Sequence, residues 1–209
     1  MMSNREIEAA WCMPEVAKEQ KELADCELEK SVHDIAPFAE FLRILGNLNG
    51  VEEVIDIGCA TGSYGVLLKG HFPDIRYVGY DISSEMCLHA RDRGLDVRDA
   101  MCDGLPQICR AGVLLLCAVS LEYAKYPPYA LWRVLQRNPL SWLMLHRVRC
   151  HEDCGRKVDE RSYCGLDIPM WRWNRKELDV LFENSGRQYA WHTWPKDQRQ
   201  FTIVVEPEA

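Results

Sequence analysis

Residues 51–65 read VEEVIDIGCATGSYG, and the stretch that decides the fold runs on from there to Asp81 in RYVGYDIS. Val51 to Ile57 read as a buried strand. Gly58, Gly62 and Gly65 then punctuate a tight turn into a helix that begins near Ser63, because glycine accepts the left-handed φ and the close approach such a turn demands. A second strand, Arg76 to Tyr80, ends on a carboxylate, Asp81. Strand, glycine turn, helix, strand, acid is the layout of a nucleotide-cofactor site in a parallel α/β sheet. In that layout the ligand lies at the carboxyl ends of the strands. A side chain at Gly58 or Gly62 fills its space, and the acid ending the second strand accepts hydrogen bonds from two ribose hydroxyls.

Asp56 refines the ligand. It stands two residues before Gly58, where a dinucleotide site wants a glycine or another small residue. A carboxylate beneath the turn repels a pyrophosphate and suits a cation such as an α-ammonium group, often through water. The pattern therefore resembles D-x-G-x-G-x-G of the class I S-adenosylmethionine-dependent methyltransferases. Asp56, Gly58 and Gly62 match, and Ala60 replaces the middle glycine.

Composition is that of an ordinary enzyme. The chain has 209 residues with 47% hydrophobic content, enough for one large core. It has no apolar run of about eighteen residues, so no membrane span is expected. The start, MMSNREIEAAW, is charged and lacks an apolar signal region, which leads to an expectation of the cytoplasm. A net charge of −7 argues against a nucleic-acid backbone as partner. The acidity is local: residues 1–40 carry ten acids against four bases, a balance of −6 out of −7. The expected partner is a small-molecule substrate, with the chain a monomer or homodimer.

Ten cysteines in a chain with a sufficient core do not read as a disulfide scaffold. Cys59, Cys87 and Cys117 lie on apolar segments as small buried hydrophobes. Cys150, Cys154 and Cys164, near His146 and His151, lack the paired C-x2-C knuckles of structural zinc. No metal is expected.

Along the chain, residues 4–30 read as one or two acidic amphipathic helices, and residues 31–45 as a helix capped by Ser31 with Asp34 three residues on. Helices follow over 63–69 and 83–93, the second capped by Ser83 or Ser84 and both stopped by glycine. A short third strand near 95–98 leads into Asp99, Ala100 and Met101. The fourth, AGVLLLCAVS over 111–120, is continuously apolar, as a central parallel strand should be. Ser141 to Val148 is the fifth, with His146 at its carboxyl end. Residues 149–172 form a long insertion, and its size marks it as functional. Asn174 caps the next helix, with Glu177 three residues on. Two last strands, 187–194 and 201–206, close as a hairpin through Pro195, Lys196 and Asp197.

The resemblance extends over residues 32–207 and implies a fold: a three-layer α-β-α sandwich around a seven-stranded, mostly parallel sheet with an antiparallel last strand. It divides the chain into N-terminal acidic helices, 1–45, acting as a lid, and a Rossmann-like catalytic domain, 46–209. It also implies roles. Asp56, Gly58, Cys59, Ala60 and Gly62 of the turn, Asp81 with Ile82, Asp99 with Ala100 and Met101, and Cys117 at the fourth strand would hold S-adenosylmethionine. Asp99, or in its place Asp103, would meet the adenine amine. Glu122 and Tyr123 stand where small-molecule methyltransferases carry substrate-facing residues. Glu122 and His146 are candidate proton acceptors, and Tyr163, Trp171 and Trp173 a candidate aromatic wall. The implied reaction is in-line methyl transfer to an O, N, S or C nucleophile. Two alternatives stay open: a cyclase or lyase that releases methylthioadenosine from the same cofactor, and a non-catalytic cofactor-binding or partner-activating subunit.

Overall fold

The computed structural model of the chain describes residues 4–100, 108, 110–124, 126–151, 157–195 and 199–208. Five strands run parallel in the order β3 (Val97–Asp99), β2 (Arg76–Asp81), β1 (Glu53–Ile57), β4 (Val113–Ala118), β5 (Trp142–His151). Beyond β5 lies β9 (Gln200–Val205), antiparallel to it, and then β8 (Tyr189–Thr193), antiparallel to β9. These seven strands are the expected sheet, with the last strand reversed. Two further strands, β6 (Lys157–Tyr163) and β7 (Leu166–Asn174), extend it to nine.

Strand alternation sorts the core into two faces. Ile55, Ile57, Leu115, Leu143 and Leu145 face one side and pack against α6 (Pro127–Arg137) and α7 (Arg175–Ser185). Val54, Leu114, Leu116 and Met144 face the other, against α3 (Ala36–Leu45) and α4 (Ser63–His71). Burial on both faces is why β4 reads as an unbroken apolar run. Ser83 accepts from the Met86 amide at the start of α5 (Ser84–Asp92), and Asn174 from the Glu177 amide at the start of α7, so both expected caps form.

The start of α3 differs from expectation. Ser31 makes no side-chain cap; a 3-10 turn occupies 32–34, and the helix begins at Ala36 with Pro37 in its first turn. Proline suits that place, since a first-turn N–H has no helical partner. Phe38, Phe41, Ile44 and Leu45 are buried in the second face of the core, so α3 is part of the sandwich. α1 (Asn4–Trp11) and α2 (Pro14–Leu28) lie across the carboxyl ends of the strands, and α3 adds Phe38 there.

The insertion after β5 is a hairpin. β5 pairs with β4 only as far as His146, then runs on and pairs with β7 at Cys150 and His151. β6 folds back on β7 through a turn at Cys164 and Gly165. This carries the hairpin past the carboxyl end of β4. The Cys164 amide donates to Glu19 Oε2 of α2 at 2.8 Å. The opposite side of α2 is held by Asp25, which accepts from both Lys21 and Arg93. No described helix is long and apolar enough to cross a membrane.

Candidate active site

A cavity of about 550 Å³ lies at the carboxyl ends of β1, β2 and β4. Its floor is the turn after β1 (Gly58 to Thr61), the end of β2 (Asp81, Ile82), Ala100 after β3, and Ala118 to Ser120 after β4. Its cover comes from Ile7, Glu8 and Trp11 of α1 and Gln20, Leu23, Ala24 and Glu27 of α2. Tyr123, Arg147, Arg161 and Tyr163 stand in its walls.

The floor is built by backbone geometry. Gly58, Ala60 and Gly62 all adopt positive φ, +74, +47 and +82°. The Gly58 and Cys59 amides both donate to the Tyr80 carbonyl, at 2.7 and 3.0 Å. Asp81 then clamps the turn: Oδ2 accepts from the Ala60 amide at 2.8 Å and Oδ1 from the Ser83 amide at 2.9 Å. Ala60 therefore holds a backbone shape usually left to glycine because a charged acceptor fixes its N–H. Burial pushes the Asp81 carboxyl upward, opposed by these amides, so its charge is incompletely compensated.

Glycine is needed at 58 for a second reason. A Cβ there would come within 2.3 Å of the Ser120 Cβ, so the β1 turn packs against the β4 loop with no room between them. Substitution at Gly58 therefore strains the turn itself, beyond blocking a ligand. Gly62 serves α5: a Cβ there would meet Leu95 at 2.3 Å and Ala90 at 3.1 Å. It does not line the cavity.

Asp56 lies beneath the turn, fully buried. Its Oδ2 accepts from the Tyr77 hydroxyl at 2.8 Å, while Oδ1 has no partner among the described residues. Burial raises its carboxyl to about 7, with the Tyr77 bond opposing. Asp56 does not line the cavity, so its orphaned oxygen fits a cationic group reached through water. Ser120 Oγ and Trp11 Nε1, both of cavity-lining residues, are likewise buried without partners among the described residues. The floor thus fits a nucleoside that carries hydroxyls and an ammonium group.

Several expected site residues face elsewhere. Asp99 is exposed and ion-paired to Arg91 at 2.8 Å, on the α5 side of β3; the next residue, Ala100, lines the cavity. One strand position separates the two, and successive side chains point to opposite faces. Met101 and Asp103 lie outside the described residues. Cys117 packs in the core, and the chain reaches the cavity only from Ala118 onward. Glu122 sits behind the wall: Trp173 Nε1 donates to it at 2.9 Å, and burial lifts it to about 7 while Arg161 and Arg147 pull down. Tyr123 beside it lines the cavity.

His146 does not line the cavity. It is fully buried in mid-strand, with Nε2 2.9 Å from the Pro37 carbonyl and Nδ1 2.8 Å from Thr202 Oγ1. The carbonyl only accepts, so Nε2 carries the proton, and Nδ1 accepts from Thr202, whose oxygen accepts in turn from Trp194 Nε1. Burial and the charge of Arg147 lower the ring to about 3, with the Pro37 carbonyl opposing. A neutral ring with both nitrogens spent is a structural tie among α3, β5 and β9.

The residue that β5 offers to the cavity is the next one. Pairing with β9 slips between Leu145 and Val148, and Arg147 adopts φ +62°. This bulge inserts one residue, returns Val148 to the face of Leu145, and turns Arg147 into the cavity. Two polar residues in succession, His146 and Arg147, inside an apolar strand are its trace in the sequence. Val119, at φ +73°, is a second strained wall residue. Of the three aromatics expected as a wall, Tyr163 lines the cavity, whereas Trp173 is core and Trp171 packs against the core. Trp11 of α1 completes the wall, 4.8 Å from Tyr123 and 5.1 Å from Tyr163 between ring centres. Among the described residues no three His, Cys, Asp or Glu side chains converge as a metal set.

No family model matches the chain, and neither does any curated protein. Solved structures do. DhpI in complex with SAH is similar at 19% identity, covering 93% of this chain and 96% of that one, with a TM-score of 0.64. SAM-bound CalS10, an amino pentose methyltransferase of Micromonospora echinaspora, is similar at 16% identity over 88% and 95%, with a TM-score of 0.62. The sugar N-methyltransferase KedS8 of a Streptoalloteichus species is similar at 16% identity over 81% and 87%, with a TM-score of 0.61. The chain has the fold of the class I S-adenosylmethionine-dependent methyltransferases.

Proposed function

We propose that the chain binds S-adenosylmethionine and transfers its methyl group to a small-molecule acceptor. The observation that carries this reading is the cavity floor: a glycine turn at positive φ, closed by the buried carboxylate of Asp81, above the orphaned oxygen of Asp56. CalS10 and KedS8, which share the fold, are methyltransferases of sugars.

In this reading Asp81 accepts the two ribose hydroxyls, which supply the compensation its buried charge lacks. Asp56, beneath the lining, reaches the α-ammonium group through water, and Gly58 to Ala60 let the nucleoside lie against bare backbone. Ala100 and Ile82 flank the base. When bound, the cofactor supplies an electrophilic sulfonium methyl. The protein's own part is orientation and exclusion of water. Trp11, Tyr123 and Tyr163 wall the acceptor side, and α1 and α2 close it as a lid. Burial, reinforced by Tyr163, pushes the Tyr123 hydroxyl upward, so it donates a hydrogen bond to the acceptor and does not serve as a base. Glu122, behind the wall, is a positioning residue for Trp173 and Arg161.

Calorimetric titration with S-adenosylmethionine and S-adenosylhomocysteine tests the reading; absence of binding refutes it. Following S-adenosylhomocysteine against methylthioadenosine during turnover then separates methyl transfer from cleavage of another bond to sulfur.

A further inference from the structure

We propose that the acceptor is an anion, a small carboxylic or phosphoric acid on a flat apolar body, held by Arg147 and Arg161 in the cavity wall. This rests on the methyl-transfer reading of the same cavity.

Three guanidiniums from three separate elements line this one cavity, Arg133 of α6, Arg147 of β5 and Arg161 of β6, while its carboxylates, Asp81 in the floor and Glu8 and Glu27 in the cover, stand on other elements. Several arginines elsewhere, among the described residues, are matched by acids. Arg76 and Arg110 pair with Glu53, Arg91 with Asp99, Arg93 with Asp25 and Arg172 with Asp159. Arg187 is buried and gives its donors to the carbonyls of Glu206, Asn138 and Ser141. Arg147 and Arg161 are half-buried and, among the described residues, neither forms an ion pair. Tyr163, Tyr123 and the buried Glu122 surround Arg161, but the wall gives it no carboxylate in contact. A partly desolvated guanidinium whose nearest counter-charge is a buried carboxyl out of contact, Glu122, is better compensated by a ligand that supplies one, and its planar fork suits carboxylate or phosphate.

Backbone strain is committed to the same end. Only the bulge and the left-handed φ of Arg147 bring that side chain round to the cavity. The cofactor adds a reason of its own. A sulfonium beside two guanidiniums is repelled by them, and an anionic acceptor between them removes the repulsion. Trp11, Tyr123 and Tyr163 lie against one another at the same wall and suit a flat body, while Trp11 Nε1, buried without a partner among the described residues, offers a further donor.

The test is calorimetry on the full chain saturated with S-adenosylhomocysteine, with benzoate, phenyl phosphate and benzyl alcohol as probes. At least one acid should bind, with the neutral alcohol at least tenfold weaker; the two acids distinguish carboxylate from phosphate. Arg147→Gln and Arg161→Gln should each weaken the acid tenfold or more, with unchanged thermal midpoints and with S-adenosylhomocysteine affinity held within threefold. The proposal falls if the alcohol binds as well as the acids, if no acid binds, or if the double variant keeps the acid's affinity. It also falls if both variants lose S-adenosylhomocysteine instead, since the arginines would then hold the cofactor's carboxylate. Failure of the wild type to bind S-adenosylhomocysteine overturns the methyl-transfer reading separately, and the acid titrations on cofactor-free protein still decide the arginine claim.

Discussion

His146 offers a sharp test because its burial converts directly into a pH dependence of stability. The ring is inaccessible, its two nitrogens are bonded to Pro37 and Thr202, and its folded value is lowered to about 3 from an ordinary 6.5. A depressed histidine contributes stability that is present above 6.5 and lost as pH falls toward 3, because only the unfolded chain takes up the proton. pH 5 lies 1.5 units below the unfolded ring's 6.5, worth about 2 kcal/mol at about 1.36 kcal/mol per unit. That figure is the same wherever below about pH 4 the folded ring titrates. His146→Gln removes the titration, and the loss of two buried hydrogen bonds costs about 2–4 kcal/mol at pH 7. Urea unfolding of wild type and variant at pH 7 and pH 5 isolates the effect, since all other groups cancel in the difference. The wild type's advantage should shrink by about 2 kcal/mol at pH 5. An advantage equal at both values would mean that the ring is not held neutral. Loss of S-adenosylhomocysteine affinity in a folded variant would place it at the cofactor after all.

Three further outcomes are expected. Asp81→Ala should weaken S-adenosylhomocysteine binding by about 2 kcal/mol, roughly thirtyfold, from lost hydrogen bonds to a charged acceptor, measured by calorimetry; unchanged affinity would move the site elsewhere. Glu122→Gln should gain on wild type as pH rises. The folded carboxyl is raised to about 7 from 4.5, so its stabilisation is fully present below pH 4.5 and lost as pH climbs through 7, a difference on the order of 3 kcal/mol by pH 8, read by urea unfolding. Gly58→Ala should cost about 2–4 kcal/mol of stability, from positive φ and the 2.3 Å approach to Ser120. Gly50→Ala, at φ +71° with open space, should cost only about 1 kcal/mol.

Local chemistry was legible where it acts over a few residues. The caps at Ser83 and Asn174 are side-chain oxygens three positions from the amides they serve, and the glycine turn carries its φ requirement in residue type. The mostly parallel sheet followed from apolar runs joined by helical crossovers. Asp99 and His146 each lie one position from the residue that reaches the cavity. For Asp99, strand periodicity gives alternation without saying which face is which; for His146, a bulge breaks the alternation and turns Arg147 inward. The bulge at Arg147 depends on pairing with β9, more than fifty residues later in the chain. The hairpin of β6 and β7, read as a long loop, likewise depends on the free edge that β5 presents beyond β4.

The sequence by itself determined the fold class and the glycine-turn floor of the cavity, because glycine, aspartate and apolar periodicity act through the backbone of their own segment. Only the tertiary structure decided what stands opposite that floor. Trp11, Arg147 and Arg161 come from a helix, a bulged strand and a hairpin far apart in the chain. Their meeting is set by sheet order, register and the docking of α2 between α5 and the hairpin turn. Those are long-range packing choices, and no single stretch of residues encodes them.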